Sequence, residues 1–224
     1  MNVKKELLKY KDSKFKDFES NLVPNIDKSL VIGVKNPFIR KISKSLYLTG
    51  EYKKFIDKVP HKYLEENLVH IHTLNLIKDY DEAIYSLKKI VPYMNNWMVT
   101  DTVGSRTFEK NKDKLTISIN KWLKSRKPYT IRLAIILLKK YFLDDLFKLE
   151  QLNKVISIKH DDYYVKMMQA WYIAEGLIKH EKEFLNVIKK KKLDSFIQNK
   201  SIQKARESYR ISNNLKKELL KYKV

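Results

Sequence analysis

Apolar side chains recur three and four positions apart along most of this chain, and that period decides what it can fold into. Leu64, Leu68, Ile71, Leu74 and Ile77 repeat at helical spacing, which stacks them on one face of an α-helix. Beyond Asp79 and Asp81, either of which suits a cap, Ala83, Ile84, Leu87, Ile90 and Val91 form a second such face. Phe15, Phe18 and Leu22 do the same near the start. Pro128 opens a run from Tyr129 to Leu138 that is apolar on nearly every side, with Arg132 its single charge before Lys139. Such a segment reads as a central, buried helix. Only four glycines and five prolines occur in 224 residues, too few for the many tight turns of an all-β protein.

Taken in order, the periodicity predicts about a dozen helices. Two short ones lie between Val3 and Leu22 and end before Pro24. The stretch Leu30 to Arg40 reads as a linker in which Gly33 permits a bend, Asn36 suits a cap and Pro37 suits the first turn of a new helix. Pro92 ends the helix after Asp79, so Asn95 or Asn96 becomes the N-cap of the next. Helices are then expected around Leu115–Leu123, from Pro128 to Leu138, from Leu146 to Ile158, from Asp161 to Ile178, from Glu181 to Lys190 and from Ser195 to Tyr209, before a basic tail. Pairs joined by short loops, repeating roughly every 35 to 45 residues, match the period of HEAT-type units. The expectation is an all-α chain, with residues 1–224 forming one α-solenoid domain with a concave face. A globular helical bundle is the alternative.

The charge is lopsided: 47 basic residues face 26 acidic ones, a net of +21. An excess of this size implies an acidic partner, most often nucleic acid. Between Lys179 and Val224 stand 14 basic residues and 5 acidic ones, so the excess leans toward that end. Absence of cysteine excludes disulfides, thiolate metal sites and a Cys nucleophile. His70 and His72 are two apart and point to different faces of a helix, and no His-Glu-x-x-His pattern occurs. Neither a Gly-rich phosphate loop nor a Gly-x-Ser-x-Gly elbow is present. No run approaches the roughly 20 apolar residues of a membrane span, and the start lacks a signal-peptide apolar region. A cytoplasmic, monomeric protein without metal or cofactor is expected.

Against that cationic background one pair stands out. Trp97 and Asp101 are four apart, hence one helical turn apart on one face. An aromatic plane and an anion can then address one target. Taken singly, Trp97 and Trp171 read as core and Arg132 as an ion-paired helix residue, with Asp101 one conceivable partner, since a bare buried guanidinium is costly. Their placement in three successive helical units changes this, because corresponding positions of a solenoid line one face.

The ordered series Trp97-x-x-x-Asp101, Tyr129-Thr130-Ile131-Arg132-Leu133-Ala134-Ile135 and Ala170-Trp171 resembles the core pattern of the AlkD-type DNA alkylation repair proteins, the HEAT-like-repeat DNA glycosylases. Flanking features extend the resemblance over most of the chain. They are Ile32-Gly33-Val34-x-x-Pro37-x-x-Arg40, His61-Lys62-x-x-Glu65-Glu66, Ile119-x-Lys121-Trp122 and Lys200-x-Ile202-Gln203-Lys204-Ala205. The resemblance implies a right-handed α-helical solenoid of HEAT-like repeats with a concave basic face that holds double-stranded DNA. It also implies release of purines alkylated at N3 or N7 by hydrolysis of the N-glycosidic bond. Carried over by position, Trp97 and Trp171 are the tryptophans near the deoxyribose, Asp101 is the catalytic aspartate and Arg132 holds the DNA backbone. Lys200, Lys204 and Arg206 join it as DNA contacts in the cationic C-terminal part.

These residue types suit that chemistry. An N-alkylated purine is already a cationic leaving group, so the transition state resembles an oxocarbenium ion on the sugar. Asp101 is then expected to stabilise the charge or to orient the attacking water. The indoles offer π faces to a cationic nucleotide, and Arg132 offers a bidentate phosphate contact. The aromatic or basic residue that some relatives place against DNA from the N-terminal part has Tyr10, Phe15 and Phe18 as candidates. Two rival readings stay open: a catalytically silent protein of this type that binds damaged or branched DNA, and a scaffold for an acidic protein or RNA.

Overall fold

The computed structural model describes residues 1–224. It is all-α, with fifteen α-helices, three short 3-10 turns and no strand. The chain divides into two compact units, residues 1–115 and 116–224.

In the first unit α1 (Val3–Leu8), α2 (Ser13–Leu22), α3 (Asn36–Leu48), α4 (Tyr52–Ile56), α5 (Leu64–Leu74), α6 (Tyr80–Ile90), α7 (Trp97–Thr102) and α8 (Arg106–Lys110) precede the start of α9 (Lys112–Trp122). Alternate helices lie side by side. Helix α5 packs between α3 and α7, while α6 packs against α4 and α8. Two layers of helix built from successive pairs are the helical-repeat arrangement that the spacing predicts. Between them sit the predicted faces: Leu68, Ile71 and Leu74 of α5 and Ala83, Leu87 and Ile90 of α6 are all buried.

The second unit holds the rest of α9, then α10 (Pro128–Tyr141), α11 (Leu149–Ser157), α12 (Tyr163–Lys179), α13 (Glu181–Lys189), α14 (Ser195–Glu207) and α15 (Asn213–Leu219). Here α12 lies between α10 and α14 and carries α13 on another side. Every residue of α10 from Tyr129 to Leu138 is buried, as its all-round apolar sequence requires. Gly176 lets α13 come close, because a Cβ there would fall 2.1 Å from the Phe184 ring.

Helix starts follow the polar caps. Asp79, rather than Asp81, accepts from the Glu82 N–H at 2.8 Å, and Asn96, rather than Asn95, accepts from the Val99 N–H at 3.1 Å. Several boundaries differ from the sequence reading. Asn36 is the first helical residue of α3, with Lys35 in the cap position and no capping side chain. Helices α11 and α12 begin at Leu149 and Tyr163. Short α4 and α8 carry too few apolar residues to show a period. The basic tail folds into α15, because Leu215 and Leu219, one turn apart, bury themselves, and Asn199 and Gln198 of α14 donate to the carbonyls of Val224 and Tyr222.

Candidate nucleic-acid interface

In the first unit the site starts from a buried carboxyl pair. Gly33 adopts φ +87°, and a Cβ there would lie 2.5 Å from the Asp12 carbonyl oxygen, so only glycine suits this bend. The bend points three successive N–H groups, of Ile32, Gly33 and Val34, at the fully buried Glu65 carboxylate, at 2.9, 2.5 and 3.2 Å. Glu19 of α2 is buried against Glu65, and burial, followed by the charge of that neighbour, pushes its carboxyl up to about 8. The Ile32-Gly33-Val34 and Glu65 features thus lock α2 to α3 and α5.

The end of that helix then positions Trp97. Its indole N–H donates to the Leu22 carbonyl at 2.9 Å, and Asn25 donates to the Asn95 carbonyl at 2.5 Å just before α7. One turn on, Asp101 accepts from the Thr100 hydroxyl at 2.9 Å. Asp101 lines an open cavity of about 580 Å³ with Arg40 and Lys44 of α3 and His72 and Asn75 of α5. Burial, and secondarily the Arg40 charge, lower the His72 imidazole to about 4, which keeps it neutral. Its buried Nε2 has no hydrogen-bond partner. Asn75 is spent on structure: it donates to the Thr102 carbonyl and accepts from the Gly104 N–H, both at 2.9 Å, fixing the far end of α7. The cavity therefore presents one carboxylate beside two cations.

Of the N-terminal aromatics, Tyr10 is stacked on Phe38 with ring centroids 4.3 Å apart. Phe15 packs on Phe18, whose side is exposed.

In the second unit Arg132 is buried to 2% exposure. Its Nη1 donates to the Tyr164 carbonyl at 2.9 Å, and its guanidinium lies 5.7 Å from the Trp171 ring centroid. Lys139, two turns further along the same face of α10, approaches the same ring at 5.7 Å. Two cations on one indole are the cation–π geometry that an electron-rich face attracts. Trp171 lines a small cavity of about 190 Å³ together with Lys139, Glu175, Lys204 and Arg210. Its indole N–H is buried without a partner. Glu175, one turn after Trp171, is held by Arg210 through two hydrogen bonds of 2.9 and 2.7 Å.

The three C-terminal cations separate. Lys204 faces the Trp171 cavity and pairs with Glu207 at 2.8 Å. Lys200 and Arg206 line a different opening with Phe196 and Lys223, where Lys200 lies 5.7 Å from the Phe196 ring centroid. Arg40, Lys44, His72, Lys139 and the Glu175–Arg210 pair escaped the sequence reading as site components. The available signals were weak: Arg40 and Lys44 are four apart after Pro37, and Glu175 stands at the Trp97–Asp101 spacing from Trp171.

No helix is long and apolar enough to cross a membrane. A family model described as DNA alkylation repair enzyme matches residues 3–208. No curated protein matches the chain.

Proposed function

Because this chain belongs to the family of DNA alkylation repair enzymes, with a repair role on DNA, we propose that it is a monofunctional alkylpurine DNA glycosylase. It binds duplex DNA through its cationic surface and hydrolyses the N-glycosidic bond of N3- or N7-alkylated purines. The observation that supports this best is the Asp101 carboxylate on the wall of a cavity whose other charged groups are Arg40 and Lys44. A carboxylate on the wall of a phosphate-binding cavity repels the backbone, so its use is to meet positive charge.

In the reaction the bond between the sugar C1′ and the purine nitrogen breaks, and the electron pair leaves with the base, cancelling its positive charge. Asp101 stabilises the charge that develops on the sugar or orients the water that adds to C1′, and the water's proton is released. Preorganised charge of this kind contributes most when water is excluded around it. Thr100 holds the carboxylate through its hydroxyl. Trp97 offers a ring fixed at its N–H edge. Trp171 is assigned, like Trp97, to the deoxyribose, and Lys200, Lys204 and Arg206 are assigned to DNA contact. Arg132, at 2% exposure and bonded to the Tyr164 carbonyl, backs the Trp171 ring and does not reach a phosphate, which corrects the backbone contact expected of it. Cytoplasmic action as a monomer belongs to the same proposal.

The test is incubation with duplex carrying 7-methylguanine or 3-methyladenine and measurement of free base. Release by the wild type and its loss in Asp101→Asn is the expected pair of results. Salt-dependent binding with no abasic product would instead identify a silent DNA-binding member. Full activity in Asp101→Asn would remove the role given to that carboxylate.

A further inference from the structure

The second unit carries another cavity, of about 700 Å³, lined by neither Trp171 nor Arg132, between the loop that follows α9 and the loop that follows α11. Lys124 and Arg126 enter it from the first loop and Lys159 from the second, with Lys154 of α11 on the wall. No carboxylate lines it. Lys154 is engaged by Glu150 at 2.6 Å and donates to Asn120 at 3.0 Å. Lys124, Arg126 and Lys159 are exposed and have no ion-pair partner. Three uncompensated cations at one opening repel one another, and a protein gains nothing in stability from holding them together.

The two loops are nevertheless fixed relative to each other. The His160 Nδ1 accepts from the Asp162 N–H at 3.1 Å, which leaves the proton on Nε2, and Nε2 donates to the Arg126 carbonyl at 3.4 Å. Ser125 accepts from the Lys127 N–H at 3.1 Å and so shapes the first loop. An imidazole bridge therefore presents the cations as one set. Three residues along the chain from His160, at the start of α12, the ring of Tyr163 is half exposed, and it contacts the rings of Tyr164 and Phe196 at 5.3 and 5.6 Å. Cations on two linked loops, with an exposed aromatic ring three residues further along the chain, are the composition that tracks a nucleic-acid strand.

We propose that this loop cavity is a second phosphate anchor, which grips the phosphodiester backbone of DNA through Lys124, Arg126 and Lys159. The proposal rests on DNA as the partner and is independent of base excision. Three phosphate contacts contribute roughly 2 to 3 units to the slope of log affinity against log salt.

The experiment compares unmodified duplex binding over a range of salt for three proteins: the wild type, the triple variant Lys124→Glu/Arg126→Glu/Lys159→Glu, and the control Lys182→Glu/Lys190→Glu/Lys192→Glu. The control residues are equally charged and exposed, around a different opening of the same unit. The expected result is a slope flattened by about 2 to 3 units and affinity reduced more than tenfold in the cavity variant, with the control much closer to wild type. Equal flattening in both variants, or none in the cavity variant, overturns the proposal. A parallel titration with pyrophosphate, followed at the amides of residues 124–126 and 159–160, separates the sources. Amide shifts there with an unchanged DNA slope would assign the cavity to a free phosphate compound and overturn the DNA assignment. A wild type that releases no alkylated base yet shows the slope difference removes the glycosylase reading and leaves this one standing.

Discussion

The two units each place a carboxylate one helical turn after a tryptophan, and the two pairs have opposite surroundings. In the first, the Trp97 indole N–H is satisfied by the Leu22 carbonyl, and Asp101 lines a cavity with Arg40 and Lys44. In the second, the Trp171 N–H has no partner, the ring carries Arg132 and Lys139 over its face, and Glu175 is held by Arg210 through two hydrogen bonds. Sequence spacing is identical, so spacing does not decide what surrounds each carboxylate. The neighbours do. A bidentate guanidinium uses both oxygens of Glu175 for structure, while Asp101 accepts from the Thr100 hydroxyl and lines the cavity wall.

The strongest way to break this comparison is to neutralise each carboxylate in turn. Asp101→Asn should lower single-turnover base release on the order of 100-fold, the usual loss when one preorganised electrostatic group is removed. Glu175→Gln should leave release within a few-fold of wild type, because the clamp is structural. Equal losses would erase the distinction.

Next in size is the contrast between a buried and an exposed arginine. Arg132→Ala removes a side chain at 2% exposure and the donor to the Tyr164 carbonyl, and should cost about 2 to 4 kcal/mol in urea unfolding. Arg40→Ala, on the exposed wall of the Asp101 cavity, should change stability by less than about 0.5 kcal/mol while weakening duplex binding.

The carboxyl pair that anchors α2 predicts a pH dependence confined to the first unit. Between the ordinary glutamate value of 4.5 and about 8, folded Glu19 keeps a proton that the unfolded chain has released. Stability therefore falls as pH rises through that window, with no loss below it and the full loss above it. Glu19→Gln should remove this slope and be more stable than wild type at pH 8, by roughly 1 to 3 kcal/mol. Denaturant titrations at pH 5, 6.5 and 8 would show it, and an unchanged slope would contradict a Glu19 carboxyl raised by burial and by the Glu65 charge.

The smallest effect separates the two indoles. Trp97→Phe deletes the donor to the Leu22 carbonyl and should cost about 1 kcal/mol beyond the change in ring size. Trp171→Phe deletes a buried donor that has no partner, so its hydrogen-bond contribution should be near zero. Paired chemical-denaturation curves check the difference.

Much of this molecule is legible from residues alone. Apolar periodicity found the long helices because burial of one face is enforced at every turn, and Asp79 or Asp81, Asn95 or Asn96, and Pro128 marked helix starts because orphan N–H groups or a fixed φ require such residues there, though only the structure chose Asp79 and Asn96. Short helices such as α4 and α8 were not legible, since five residues make little more than one turn and are stabilised by packing. The amphipathic end of the chain read as a tail, because two leucines among lysines do not reveal that α14 is there to cover them.

For the site, the sequence determined which chemistry was available: no thiol, an excess of cations, and tryptophans with carboxylates at one-turn spacing. Local rules suffice for that, because composition and i, i+4 spacing are properties of the chain itself. Only the tertiary structure decided that Arg210 would take up Glu175, that Arg40, Lys44 and His72 would share a cavity with Asp101, and that Lys204 would part from Lys200 and Arg206. Those outcomes depend on which helices pack together and at what rotation. Long-range packing sets that rotation, and no short stretch of sequence encodes it.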